Sequence, residues 1–335
     1  MAAAVPHFAL PDLRSEVLSL LRQIPRGRVT TYGDLARALG DEQARSARWL
    51  GEFLKNHPHD PDCACHRVVR ATGELGFHVS GDPRQKALLL QREGVAVSCT
   101  GHVDLAHRCA EFESSRPLEQ LRTIQEKIAR NMRQAPLPGR PRTFAGLDVA
   151  YRDDGRACGA YVELDAQSLQ VTREVTVTMQ IDFPYIPGYL TFREMPVMLE
   201  LCRRARDNGA LADVLFVDGN GLLHPWRAGI AVCVGVLLDH PTIGIGKSLL
   251  CGTVDLQDMT AGDRRPVIDN GALVGTALKS TGRSRPVYAS PGNRITIGAT
   301  AELAQRTMTA HRVPEPIYWA DRLTKELKPA APLSP

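Results

Sequence analysis

Three acidic residues stand where the chain can turn them on a common target. Asp148 follows the apolar run Phe144-Ala145-Gly146-Leu147, and Asp218 follows Val214-Leu215-Phe216-Val217. Glu194 opens a helical pattern after the turn-rich stretch Phe183-Pro184-Tyr185-Ile186-Pro187-Gly188. Short apolar runs bounded by turn residues read as buried strands, and residues at the ends of such strands converge on one edge of a sheet. Carboxylates gathered there suit a hard divalent cation such as Mg2+, with Mn2+ as the alternative. Such an ion lowers the pKa of an attacking water and neutralises the charge developing on a phosphodiester. Taken alone, any one of the three reads as a helix cap or a surface charge. Together, framed by apolar strands and Gly turns, they favour a metal-dependent nuclease.

A second nucleus lies at Cys65-His66-Arg67-Val68-Val69, at the end of a polar loop. A neighbouring base can make a Cys thiolate, a strong nucleophile toward soft carbon electrophiles. Adjacent side chains point different ways in most backbones, so the pairing is a weak signal by itself. The cluster Cys63-x-Cys65-His66 also suggests zinc, but no fourth ligand at finger-like spacing follows, which disfavours that reading.

The elements that must position these residues fall into two parts. With 335 residues and 43% hydrophobic composition, the chain can fill two cores. Leu10, Leu13, Val17, Leu20 and Leu21 recur at helical spacing; Thr31-Tyr32-Gly33-Asp34 opens a run that stops at Gly40, and a further helix is expected from Asp41 to about Lys55. Helix, short Gly turn, helix suggests a helix-turn-helix. Residues 98–117 are polar and aperiodic and read as a linker. Leu118, Leu121, Ile124, Ile128 and Met132 then mark an amphipathic helix. Strands are expected at 143–149, 159–164, 171–179, 214–217 and 241–245, with helices at 193–206 and 229–238, an α/β pattern of hairpins followed by parallel strands. The expected division is 1–97, linker 98–117, 118–328 and a tail 329–335.

A net charge of +4 is compatible with a polyanionic partner without requiring one. No apolar run reaches the roughly 20 residues that span a bilayer, and the start lacks a leader pattern, so a soluble cytoplasmic protein without membrane attachment is expected. The eight cysteines are scattered, and reduced thiols are the default. No obligate protein partner is evident.

Residues 118–328 resemble endonuclease V. The resemblance rests on Ala145 to Tyr151, Phe183 to Glu194, Asp218 to Pro225, Gly229-Ile230-Ala231, Pro241 to Gly244 with Lys247, Ser290-Pro291-Gly292 and Pro314-Glu315-Pro316. It implies a ribonuclease H-like fold and hydrolysis of the second phosphodiester 3′ to a deoxyinosine. It also implies Asp148 and Asp218 as Mg2+ ligands with Glu194 as the third acidic member, His224 and Lys247 near the scissile phosphate, and Tyr185 as the wedge beside an extruded base. Asp321 falls where this family uses His or Asp and is a further candidate, with a structural role as the alternative. Trp226, Cys233 and Gly246 depart from the commonest form.

Residues 8–97 resemble the C-terminal domain of O6-alkylguanine-DNA alkyltransferases, a winged helix-turn-helix-like module. Ile24 to Gly27, Thr31-Tyr32-Gly33, Ala47-Arg48 with Gly51, Cys65-His66-Arg67, Thr72-Gly73, Leu75-Gly76 and Glu93-Gly94 carry the likeness. It implies Cys65 as alkyl acceptor, His66 as its base through a water, Glu93 orienting His66, Tyr32 as proton donor and Arg48 filling the gap left by a flipped nucleotide. Ala64, His57, His78 and the stretch Asp60-Pro61-Asp62-Cys63 depart from that pattern. Three readings follow. A suicide transferase joined to a nuclease is favoured; a damage-binding module delivering the nuclease is the second, and a degenerate DNA-binding scaffold the third. The expected partners are DNA bearing deaminated or O6-alkylated bases, with inosine RNA left open as a nuclease substrate.

Overall fold

The computed structural model describes residues 10–58, 63–106 and 108–327; the tail 329–335 and Asp60 to Asp62 lie outside them. By its contacts the chain forms two compact units, one reaching to Thr123 and taking in Phe183–Tyr189, the other covering Ile124–Asp182 and resuming at Leu190. Among the described residues no helix is long and apolar enough to cross a membrane.

In the first unit, α1 (Leu13–Arg22) begins at Asp12, whose carboxylate accepts the N–H groups of Arg14 and Ser15, and it buries Leu13, Val17, Leu20 and Leu21. β1 (Thr30–Thr31) runs into α2 (Tyr32–Ala38), where Thr31 and Asp34 form a capping box. The turn after α2 uses Gly40 at φ +91°, where a Cβ would come within 2.7 Å of Glu119. The expected helix from Asp41 starts only at Ala47: α3 spans Ala47–Asn56. Its six-residue delay has a local cause, since the Asp41 carboxylate accepts the Ser46 N–H at 2.6 Å and Ala44 takes φ +52°. A 3-10 turn, Ala64–Arg67, leads into β2 (Val68–Val69), which pairs in parallel with β1, and α4 (Pro83–Arg92) follows.

Residues 98–117 do not hang free between units as a linker. Val103 is buried with Val29, Val69, Leu75 and Leu90. Glu113 donates its N–H to Gln23 Oε1, and the Ser114 hydroxyl donates to Glu16. Isolated apolar residues separated by polar ones give no period, which is why the sequence pattern hid this packing. α5 (Pro117–Arg130) follows directly.

The second unit is an eight-stranded sheet. In chain order it comprises β3 (Thr143–Tyr151), β4 (Arg156–Asp165), β5 (Val171–Gln180), α6 (Leu190–Asp207), β6 (Val214–Asp218), α7 (Ile230–Leu238) and β7 (Thr242–Gly246). Then come β8 (Arg264–Asp269), β9 (Ala272–Leu278), β10 (Val287–Asn293), α8 (Ile297–Arg306) and α9 (Glu315–Glu326). The spatial order is β5-β4-β3-β6-β7-β10-β9-β8, with β3, β6 and β7 parallel and the flanks antiparallel. The last three strands lie beyond the segments expected from the sequence. Their signal was present, because Asn270 and Gly271, both at positive φ between paired Asp269 and Ala272, form a two-residue hairpin loop.

Two glycines set which helix covers which face of the sheet. A Cβ on Gly146 would lie 1.8 Å from Pro316 O, so α9 approaches β3 there; one on Gly159 would meet Val197 and Leu201 of α6. Side chains alternate along a strand, so Asp148, two residues beyond Gly146, faces α9 as well.

Candidate active sites

The parallel core of the second unit delivers its acidic residues in register. Leu147 pairs with Val217, so Asp148 and Asp218 follow one step later on adjacent strands; Asp218 in turn pairs with Ile245, two residues before Lys247. Lys247 Nζ donates to Asp218 Oδ2 at 2.5 Å. Asp148 is buried and accepts the Thr324 hydroxyl of α9 on Oδ2 at 2.7 Å. Glu194, in the first turns of α6, is buried and accepts Tyr151 OH at 3.3 Å.

The electrostatics tie these groups together. Burial, with the Asp218 charge second, pushes Asp148 up to about 7. Burial, then the charges of Asp218 and Asp148, push Glu194 up to about 8. Lys247 sits above its ordinary value because Asp218, Asp148 and Asp321 together outweigh the effect of its burial. Asp321, on α9 and partly exposed, pairs with Lys325. An all-oxygen donor set whose anions are disfavoured by burial and by one another fits a hard divalent cation. His224 is buried in the loop between β6 and α7, with its ring edge-on to Trp226 and Nδ1 accepting the Trp226 N–H at 3.3 Å. Thr324 had no sequence signal, since it acts through long-range packing.

The first unit holds the second constellation. Cys65 is buried in the 3-10 turn, and the next residue, His66, places Nε2 2.9 Å from Glu93 Oε1. Arg67 grips the same carboxylate through Nε at 2.8 Å and Nη2 at 2.7 Å. Burial disfavours the Glu93 anion, but hydrogen bonds from Arg67 and His66 prevail and hold it down at about 2. Tyr32 lies in the field of Cys65, raised chiefly by burial, and Arg48 is exposed in the first turn of α3. Tyr185 is 60% exposed, on a segment anchored by buried Phe183 and Ile186.

One residue here escaped sequence reasoning. Lys86 of α4 is fully buried and donates to Val68 O at 2.5 Å and Phe77 O at 3.1 Å; burial takes it down to about 8. The Cys65 thiol donates to Cys63, and His57 Nε2 lies 3.2 Å from the Cys63 sulfur, so Cys63 falls to about 5 despite burial while Cys65 is pushed up. In that pair Cys63 carries the negative charge first. Among the described residues, His57, Cys63 and Cys65 are the only set of three His, Cys, Asp or Glu ligand atoms all within 4.8 Å of one another. The carboxylates around Asp148 stand more loosely.

The model of the Endonuclease V family matches residues 123–322, which span the whole acidic site. The chain belongs to the endonuclease V family. It is an endonuclease, in keeping with a role in DNA repair, and it carries a second module. Residues 12–95 match the 6-O-methylguanine DNA methyltransferase DNA binding domain. A bifunctional methyltransferase/endonuclease of Picrophilus torridus is 36% identical over 287 residues, covering 85% of this chain and 87% of its own. Endonuclease V of Roseiflexus sp. (strain RS-1) is 40% identical over 206 residues, 62% of this chain and 91% of that one. The crystal structure of the catalytic domain of human endonuclease V superposes with a TM-score of 0.59 at 30% identity, covering 64% of this chain and 97% of that chain. The Picrophilus relative aligns across both modules, so this chain shares its two-part arrangement.

Proposed function

We propose that the second unit hydrolyses the second phosphodiester 3′ to a deoxyinosine or other deaminated base in DNA, leaving a 3′-hydroxyl and a 5′-phosphate. The observation that carries this reading is the register of β3 and β6, which sets Asp148, inside β3, beside Asp218, the last residue of β6, in the field of buried Glu194. These three would hold a divalent cation, Mg2+ foremost, whose chemistry is to acidify a water and offset charge on the phosphate. The chain's own residues do the rest. Thr324 fixes the Asp148 carboxylate through Oδ2. Lys247 brings a positive charge to the same edge of the sheet, where a phosphate would develop negative charge. His224 is a buried imidazole in the adjoining loop, assigned here to the scissile phosphate. Tyr185, exposed on an anchored segment, would take the place of the extruded base.

The test is nicking of a duplex carrying one deoxyinosine, with and without Mg2+. Cleavage that persists in Asp148→Ala refutes the cation assignment. Matched inosine strands of DNA and RNA decide whether RNA is a substrate as well.

The first unit is proposed to transfer the alkyl group of an O6-alkylguanine to Cys65. The His66–Glu93–Arg67 chain supports this reading over a module that only binds damage, because binding alone does not need a base held by a carboxylate next to a buried thiol. His66 and Glu93 would draw the thiol proton through a water; Tyr32 would protonate the leaving guanine; Arg48 would fill the vacated stack. Incubation with O6-methylguanine DNA followed by peptide mass measurement decides it. Binding without a methyl group on Cys65 leaves the delivery module as the correct reading.

A further inference from the structure

We infer that His57, Cys63 and Cys65 form a binding site for a thiophilic divalent cation, Zn2+ foremost, separate from the carboxylate site and sharing the Cys65 sulfur with the proposed alkyl transfer. The sequence directed attention downstream to His66, but that ring is turned to Glu93. The third donor comes instead from upstream, at the C-terminal end of α3.

The geometry fits a tetrahedral ion. With Zn–S near 2.3 Å and Zn–N near 2.0 Å, ligand atoms of a tetrahedron sit roughly 3.5–3.8 Å apart. Here the three donor atoms lie within 4.8 Å of one another, with His57 Nε2 3.2 Å from Cys63 Sγ. Small rotations of the side chains span the difference.

The orientation of His57 is a second, independent observation. Its Nδ1 lies 2.9 Å from Leu54 O. A carbonyl oxygen only accepts, so Nδ1 carries a proton and Nε2 is the nitrogen turned to sulfur. Anchoring the distal ring N–H on a backbone carbonyl is how metal-ligating histidines are commonly oriented. Leu54 O is one of the last carbonyls of α3, so the helix end fixes the ring.

The donor chemistry selects the ion. Two thiolates neutralise a dication, and sulfur with imidazole prefers Zn2+ over the Mg2+ that suits the carboxylates. His57 and Cys65 are buried at 4% and 5% exposure while Cys63 is partly open, so a cation would be reached from the Cys63 side.

The experiment is a Co2+ titration of the reduced, chelator-treated full chain, followed by Zn2+ competition. Carboxylate-bound Co2+ gives no sulfur-to-cobalt charge-transfer band in the near ultraviolet, so the two sites are spectrally distinct. The expected result is such a band, saturating at one equivalent and abolished by Zn2+. In Cys63→Ser and His57→Ala affinity falls roughly tenfold or more, the order seen when zinc sites lose supporting groups, while Cys99→Ser and Cys109→Ser leave it intact. No charge-transfer band on the wild-type chain overturns the inference, whatever the variants do. So does a Co2+ affinity unchanged in both Cys63→Ser and His57→Ala, or a band that disappears in Cys99→Ser.

Discussion

Thr324 and Asp148, 176 residues apart, share a buried hydrogen bond in which the α9 hydroxyl donates to the β3 carboxylate at 2.7 Å. The bond ties α9 to the acidic cluster that is proposed to hold the cation. Thr324→Val keeps the shape and removes the donor. Nicking of deoxyinosine DNA is expected to need roughly 10- to 100-fold more Mg2+ for half-maximal rate, as for lost supporting partners of metal ligands. Thr324→Ser should restore it. A purely structural role would lower the melting temperature without moving the Mg2+ requirement.

Lys247 is expected to act on the rate. Lys247→Met should lower the maximal nicking rate by about 10²-fold at saturating Mg2+, the scale of losing one group that stabilises developing charge. Single-turnover nicking checks this. An unchanged rate would reduce the Lys247–Asp218 ion pair to a structural one.

The acidic site makes metal-free stability depend on pH with a defined sign. Asp148 and Glu194 titrate at about 7 and about 8 in the fold, above their ordinary values. Between about 4 and 8 the native state therefore holds more protons than the unfolded chain, and stability falls as pH rises through that window. Melting of chelator-treated protein should show the decline. Asp148→Asn should flatten it, and saturating Mg2+ should offset it by binding the ionised form.

Glu93 has the opposite sign. Held at about 2, it contributes stability that is fully present above the ordinary Glu range and is lost as pH falls toward 2. Glu93→Gln should destabilise the first unit by about 1–3 kcal/mol near neutral pH, the scale of hydrogen bonds to charged groups. It should also lose less further stability between pH 4.5 and 2 than the wild type. Urea unfolding followed at Trp49, the sole Trp of the first unit, checks both.

Gly146 is the packing test. A Cβ there would sit 1.8 Å from Pro316 O, backbone that cannot turn aside. Gly146→Ala should push α9 off β3, costing about 1–3 kcal/mol or more, and should lose nicking along with stability because Thr324 moves too.

The parallel core was legible because four-residue apolar runs ending in Asp admit few other readings. The same holds for Thr31 and Asp34, whose spacing marks a capping box. What stayed hidden depends on particular geometry. Asp41 spends its side chain on Ser46 and postpones α3, a competition that helical periodicity does not register. Val103 joins the core from a stretch with no period. His57 meets Cys63 and Cys65 only because a helix end and a 3-10 turn come together, whereas sequence adjacency pointed to His66. The β8–β9 hairpin, by contrast, carries a sequence signal in Asn270-Gly271.

The excursion of Phe183–Tyr189 bears on how the protein is made. These residues lie between β5 and α6 of the second unit yet belong by their contacts to the first. No single cleavage of the chain can therefore release both units whole. On the ribosome, where N-terminal domains generally fold first, the first unit must wait for residue 189 before its contact set is complete. By then the first three strands of the nuclease sheet have already emerged, so the two units share an interval of synthesis and do not mature strictly one after the other.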